Sequence, residues 1–224
     1  MKSTLILITF LIGTSVFAAD LHRCLPENNL SIPVDNQKNF VLKSSGPQTG
    51  LNEQEFYQVI ESFEAFWKPI IQAKYQKILS IRGEWNEAKV DAYATRDDDN
   101  NPVIVVQGGL ARHKNMDSNG LLLILCHELG HHYGGAPKSF RGSSKRRSWS
   151  SAEGQADYFA SNKCMSRMID ANFILGASLS VESDKNHDGV CSDKYCYKVL
   201  PAAMSVGKLF ASLKQDWREP SVKL

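Results

Sequence analysis

Two histidines and a glutamate lie at a spacing that suits a single metal ion, within residues 121–135. Residues four apart lie on one face of an α-helix, so His127 and His131 can offer two imidazole nitrogens to the same ion. Glu128 follows the first histidine, where its carboxylate can take a proton from a water molecule beside the metal. This H-E-x-x-H pattern predicts a catalytic zinc site, because Zn²⁺ binds neutral imidazole and keeps one position open for water.

A catalytic zinc site usually has three protein ligands, so a third must come from elsewhere. One template places a histidine six residues after the second one, but Pro137 stands there. Glu153 and Asp157 fit another template, because they are four residues apart and share one face of a second predicted helix. We expect Glu153 to bind the metal and Asp157 to accept the second ring N–H of a ligating histidine. The alternative is a capping box of Ser150 and Glu153, in which Glu153 only closes the start of the helix.

The pattern His127-Glu128-x-x-His131 followed by Glu153-x-x-x-Asp157 resembles the gluzincin metallopeptidases. Together with the apolar run at 103–110, it is similar to the branch that contains the CAAX prenyl protease and the bacterial heat-shock and outer-membrane quality-control metalloproteases. The resemblance covers roughly residues 90–165. It implies a zincin-like domain in which a small sheet flanks the H-E-x-x-H helix and a second helix supplies the glutamate ligand.

The resemblance also implies where a substrate binds. In zinc peptidases of this type a strand just ahead of the active helix commonly forms the sheet edge, along which an extended peptide pairs as an added strand. The candidate edge strand here consists of Val103, Ile104, Val105, Val106 and Gln107. A protein or peptide substrate is therefore expected.

The leading hypothesis is an exported zinc endopeptidase that uses one Zn²⁺ ion. One alternative is a periplasmic zinc-binding chaperone or interaction module whose site is structural or latent. Structural zinc sites usually have four ligands rich in Cys and His, which argues against this alternative. Another alternative is a hydrolase that acts on a non-protein amide such as a cell-wall peptide.

The first 18 residues have the pattern of an export signal. Lys2 precedes an apolar run at 5–17, which is too short to span a membrane with its flanks, and small residues follow at Ala18 and Ala19. We expect residues 1–18 to be removed, or else to stay as an anchor, and residues 19–224 to form one α+β domain that is periplasmic or secreted. A net charge of +2 gives no indication of nucleic-acid binding.

Export permits disulfides among the five cysteines. Cys191 and Cys196 can close a small loop, and Cys24 and Cys164 can form a second bridge. Cys126, inside the active helix, is expected to be unpaired. About 15 pairings of two bridges are possible, so the sequence does not fix the connectivity.

Three elements around the motif can be predicted from apolar periodicity and turn residues. A helix begins after Asn52 and is expected to kink or break near Lys68, because Pro69 follows. Residues 90–95 and 103–107 form a hairpin. A last helix begins at Pro201 and ends near Trp217. The active helix itself is capped by Asp117 or Ser118 and ends at the glycine pair 134–135.

Two loops carry further candidate contacts. Residues 138–147 hold five positive charges and can form a lid, a patch for an anionic surface such as phospholipid headgroups, or a solvated loop. Asp184, Asn186 and Asp188 match the first half of a calcium loop, although Tyr195 replaces its final glutamate. This loop either binds Ca²⁺ weakly or is an Asx-rich turn closed by a disulfide.

Overall fold

The computed structural model describes residues 22–23, 25, 28–34, 50–140, 147–173 and 191–213. The strands are β1 (His22–Arg23), β2 (Ser80–Glu84), β3 (Ala92–Arg96), β4 (Pro102–Gln107), β5 (Lys138–Phe140) and β6 (Arg147–Ser151). The helices are α1 (Glu53–Tyr75), α2 (Gly108–Arg112), α3 (Ser118–Tyr133), α4 (Glu153–Phe159), α5 (Ser166–Asp170) and α6 (Lys194–Leu213). A π-helical segment, Ala160–Met165, joins α4 to α5.

A mixed four-stranded sheet has the order β1-β3-β4-β2. The predicted hairpin is confirmed, because β3 and β4 pair antiparallel. β2 pairs parallel with β4, and β1 pairs antiparallel with β3. β5 and β6 form a separate two-stranded sheet. Helices beside a small mixed sheet confirm the α+β class.

The prediction that residues 103–107 form the sheet edge is wrong. β4 lies between β3 and β2, with Ile104 opposite both Ala94 and Ile81. The side chains of Val103, Ile104, Val105 and Val106 are all buried, as expected for a strand covered on both faces. Sequence reasoning did not identify β2, whose residues lack a clear alternation of polar and apolar side chains.

Helix α1 begins after Asn52, as predicted, with a capping box. The Asn52 side chain accepts the N–H of Glu55, whose carboxylate accepts the N–H of Asn52. Of the predicted kink or break, the break does not occur, because the helix continues through Pro69 to Tyr75. The cost of the missing proline N–H, about 3 kcal/mol, is small beside the burial of six large apolar side chains at roughly 1.5–3 kcal/mol each. These are Phe56, Val59, Ile60, Phe63, Trp67 and Ile71.

Helix α3 forms the centre of the core. Its N-terminus is capped as predicted, because the Asp117 side chain accepts the N–H of Gly120 at 2.7 Å. The chain leaves the helix at Gly135, whose φ of +90° suits a residue without a side chain. Helices α1, α4 and α6 and the sheet all pack against α3, so almost every side of this helix is buried.

Helix α6 begins earlier than predicted. Its first turn is closed by the Asp193 side chain, which accepts the N–H groups of Tyr195 and Cys196. Pro201 therefore lies inside the helix. The preference of proline for a first helical turn indicated the wrong start, because Asp193 supplies the cap about two turns earlier.

Two disulfides are present. Cys191–Cys196 confirms the predicted small loop. The second bridge joins Cys126 to Cys164, so the prediction of an unpaired Cys126 and of a Cys24–Cys164 bridge is wrong. The side of α3 that carries Cys126 faces the π-helical segment, and both cysteines are fully buried there. Their Cα atoms are 5.6 Å apart, within the usual range for a disulfide.

Several sequence-based predictions fall outside the described residues. They concern the export signal at 1–18, the calcium-loop residues Asp184, Asn186 and Asp188, and positions 141–146 of the basic segment. The flanks of that segment belong to strands β5 and β6, so they are not part of a loop as expected. None of the helices in the described ranges combines the length and the apolar character needed to cross a bilayer.

Candidate metal centre

Three side-chain atoms converge between α3 and α4. The Nε2 atoms of His127 and His131 are 3.0 Å apart. The Oε2 atom of Glu153 lies 3.2 Å from the first nitrogen and 3.6 Å from the second. The structure thus brings together the three residues predicted to bind metal.

The size of this triangle fits a small cation. Ligand atoms that lie about 2.0–2.1 Å from a tetrahedral ion are about 3.3 Å from one another. The three observed separations, 3.0, 3.2 and 3.6 Å, bracket that value. Two imidazole nitrogens and one carboxylate oxygen form a donor set typical of zinc, with the remaining tetrahedral position open.

Hydrogen bonds at the outer ring nitrogens, the Nδ1 atoms of His127 and His131, explain why the Nε2 atoms of the two rings face each other. Nδ1 of His127 lies 2.8 Å from the carboxylate of Asp157, and Nδ1 of His131 lies 2.9 Å from the carbonyl oxygen of Ser151. A carbonyl oxygen and an ionised carboxylate can only accept, so both Nδ1 atoms carry the proton in the neutral rings. Both Nε2 lone pairs therefore point into the triangle beside an anionic oxygen. Such an arrangement repels itself unless a metal ion or a proton lies between these atoms.

The start of α4 excludes the capping-box alternative for Glu153. The N-cap of α4 is Ala152, which has no side-chain hydrogen bond to offer. Ser150 belongs to strand β6, and its Oγ lies 3.0 Å from Nδ1 of His131. Sequence reasoning did not assign a role to Ser150 or Ser151 in holding this histidine, although their position just before the ligand glutamate was a usable signal.

Close packing of α3 on α4 sets the separation of the ligands. Gly130 lies between the two histidines in sequence, and a Cβ atom added to it would be 2.8 Å from the carbonyl oxygen of Ala156. The side chain of Gln155 donates to the carbonyl oxygen of Gly134 at 2.6 Å. The Cys126–Cys164 disulfide ties α3 covalently to the π-helical segment that follows α4.

The site is closed on the α3 side and open on the α4 side. The side chains of His127 and His131 are 8% and 0% exposed, whereas those of Glu153 and Asp157 are 55% and 71% exposed. Glu128 is fully buried. An ion in this position would therefore be held by two buried imidazoles and one exposed carboxylate, on the side of the site that faces solvent.

A third histidine beside the motif has a different role. Burial lowers the pKa of His132 to about 3, so this ring is neutral. Its Nε2 lies 3.3 Å from the carbonyl oxygen of Val103, and its ring stacks on Trp149 with centroids 4.7 Å apart. The guanidinium of Arg96 lies 4.6 Å from the centroid of the Trp149 ring. His132 thus links α3 to the sheet and to β6, a contact that sequence reasoning missed.

Elsewhere in the described part of the chain, no second group of three His, Cys, Asp or Glu side chains converges in this way. Residues 103–107 lie beside α3 as interior strand β4, with Val103 in contact with His132. Comparisons with protein-family models, with curated proteins and with solved structures found no match to this chain. Function is therefore inferred from the side chains and their geometry.

Proposed function

We propose that this chain is a zinc-dependent endopeptidase of the gluzincin type. The observation that carries the proposal is the convergence of His127, His131 and Glu153 around one tetrahedral position, with both outer ring nitrogens already engaged. The presence of Glu128 directly after the first ligand distinguishes a hydrolytic site from a simple metal store. Structural zinc sites usually have four protein ligands and no open position, whereas this group has three ligands and an open face.

In this proposal each side chain has a distinct task. His127, His131 and Glu153 hold the ion, and Asp157 and the Ser151 carbonyl orient the two imidazoles. A bound zinc ion supplies Lewis acidity, which lowers the pKa of water and polarises the scissile carbonyl. Glu128 accepts the proton of the attacking water and later delivers it to the leaving amine nitrogen. Burial of Glu128 keeps this carboxylate away from bulk solvent.

The surroundings support a zincin-like architecture and an exported protein. The H-E-x-x-H helix packs against a small mixed sheet, and a second helix supplies the glutamate. Two disulfides are typical of an oxidising compartment, such as the periplasm or the extracellular space. The exposed face beside Glu153 gives room for a peptide rather than for a fully enclosed small molecule.

The proposal is tested by metal content and casein cleavage on one signal-free preparation. Glu128→Gln should keep one equivalent of zinc and lose activity by at least about 10²-fold, because the general base is gone. Glu61→Gln makes the same chemical change on the exposed face of α1 and should leave both quantities unchanged. His131→Ala should lose the metal.

The outcomes separate the alternatives. Zinc in the wild type, Glu128→Gln and Glu61→Gln, with cleavage by all except Glu128→Gln, supports the peptidase. Zinc in all three proteins without cleavage by any of them favours a binding module. Full activity of Glu128→Gln excludes the proposed role of Glu128, and absence of zinc from the wild type excludes the ligand set.

A further inference from the structure

The edge of the sheet nearest the metal helix is occupied by the chain itself. β1 is a strand of two residues that pairs antiparallel with β3, with His22 opposite Ala94 and Arg23 opposite Tyr93. β3 would otherwise form the edge, because its other side is paired with β4. A short segment from the N-terminal part of the chain therefore takes a strand position that a second peptide could use.

The next part of the N-terminal arm is held more firmly. The N–H of Ile32 donates to the carbonyl of Ala88 at 2.7 Å, and the N–H of Val90 donates to the carbonyl of Leu30 at 3.2 Å. Nε of Arg112 donates to the carbonyl oxygen of Ile32 at 2.8 Å, and a second guanidinium nitrogen donates to the same oxygen at 2.6 Å. Residues 30–32 thus anchor the arm, and among its described residues the pair 22–23 lies on β3.

β3 runs from this anchor towards the metal-binding end of α3. The side chains of Ala92 and Ala94 are fully buried, and β3 packs against α3. At the end of the strand, Arg96 stacks over Trp149, which in turn stacks on His132, the neighbour of a predicted ligand.

The opposite edge of the sheet is β2, and it is a poorer position for a substrate. The hydroxyl of Tyr57 donates to the carbonyl of Gly83 at 3.3 Å, so a side chain of α1 already uses a backbone group of this strand. The same strand packs against α1, and a Cβ atom on Gly83 would be 2.8–3.0 Å from side chains of that helix. α3 therefore has its sheet contact mainly through β3 and β4.

We propose that His22 and Arg23 act as an exchangeable intramolecular competitor at the outer edge of β3, the edge at which the proposed function expects an extended peptide to pair. The partner is a peptide backbone, because a strand edge offers N–H and C=O groups that any extended sequence can pair with. A two-residue ladder can be displaced by a longer strand that forms more hydrogen bonds. This inference rests on the proposed function, and it assigns β3 instead of β4 as the substrate strand.

The test uses Glu128→Gln as background, so that the probe is bound without being cleaved. The probe is dye-labelled, carboxymethylated insulin B chain, and binding is followed by fluorescence anisotropy in the presence of zinc. His22→Pro/Arg23→Pro removes both N–H donors of β1; both positions are changed because successive strand residues point their N–H groups to opposite sides. His22→Ala/Arg23→Ala is the matched control, which changes the side chains and keeps the backbone donors.

The proline variant should bind the probe at least about threefold more tightly, because removal of a competitor raises the fraction of molecules with an open site. The alanine variant should bind like the background protein. Equal affinity in all three proteins would overturn the inference. Zinc content and far-UV circular dichroism establish that each variant is folded.

Hydrogen exchange provides a second measurement without any change in the arm. Saturating probe should slow the exchange of amides in Ala92–Arg96. The amides of residues 22–23 should exchange at least as fast as they do without probe. Slower exchange at β2 with no change at β3 would contradict the proposed site. These measurements need no turnover. Tight probe binding by the proline variant together with an inactive wild type would therefore refute the proposed peptidase activity and leave the inference about the edge of β3 intact.

Discussion

The buried disulfide between α3 and the π-helical segment that follows α4 should contribute more to stability than the disulfide of the small surface loop does. Cys126 and Cys164 are 38 residues apart, whereas Cys191 and Cys196 are 5 residues apart. A disulfide restricts the unfolded chain more strongly when it closes a longer loop. The chain-entropy relation gives about 4 kcal/mol for the first bridge and about 2 kcal/mol for the second.

The perturbation is Cys126→Ala/Cys164→Ala, with Cys191→Ala/Cys196→Ala as the matched control. Urea unfolding of the metal-free proteins, followed by circular dichroism, gives the free energy of unfolding of each. The first variant should lose about 4 kcal/mol, and its Tm should fall by roughly 8–16 °C for a domain of this size. Its zinc affinity should also fall, because Cys126 directly precedes the ligand His127.

Equal losses of unfolding free energy in the two variants would refute the loop-length reasoning. Unchanged zinc affinity in the first variant would show that packing alone holds the two segments in position, independently of the bridge. An increase in stability on removing Cys126 and Cys164 would contradict both parts of the prediction.

Three further predictions concern the site and its support. Asp157→Ala should weaken zinc binding by about 10–100-fold in a metal-competition titration, while Asp170→Ala, at an exposed ion pair, should not. Gly130→Ala should destabilise the fold by roughly 1–3 kcal/mol in urea unfolding and weaken zinc binding, because its methyl group meets the backbone of α4; wild-type values would contradict the close approach. Burial lowers the pKa of His113 from 6.5, so the unfolded chain binds the proton more readily and the free energy of unfolding should decrease as the pH falls below 6.5. His113→Gln should reduce this slope in urea titrations at pH 7 and pH 5, and an unchanged slope would assign the pH dependence to other groups.

Much of the candidate site could be predicted from the sequence because its parts are local. The spacing of His127 and His131 places both rings on one helical face wherever the helix lies. The capping residues Asn52 and Asp117 interact with N–H groups only three residues away. Glu153 was identified only because a two-histidine site requires a third ligand, and the structure brings its carboxylate to that position.

The sheet shows where local patterns were insufficient. The hairpin of β3 and β4 was predictable because a short turn joins two apolar runs. The pairing of β2 with β4 was not, since it joins Ser80 to Val103 in parallel and depends on the path of the intervening chain. The same pairing decided that residues 103–107 lie inside the sheet.

The sequence by itself determined which residue types are available for metal chemistry and the helical spacing that aligns two of them. Only the tertiary structure decided that Cys126 pairs with Cys164, that Ser151 and Asp157 fix the two imidazoles, and that His22 and Arg23 cover the edge of β3. The physical reason is that the first set depends on backbone geometry over a few residues. The second set depends on contacts between residues distant in sequence, which form only when the whole core packs.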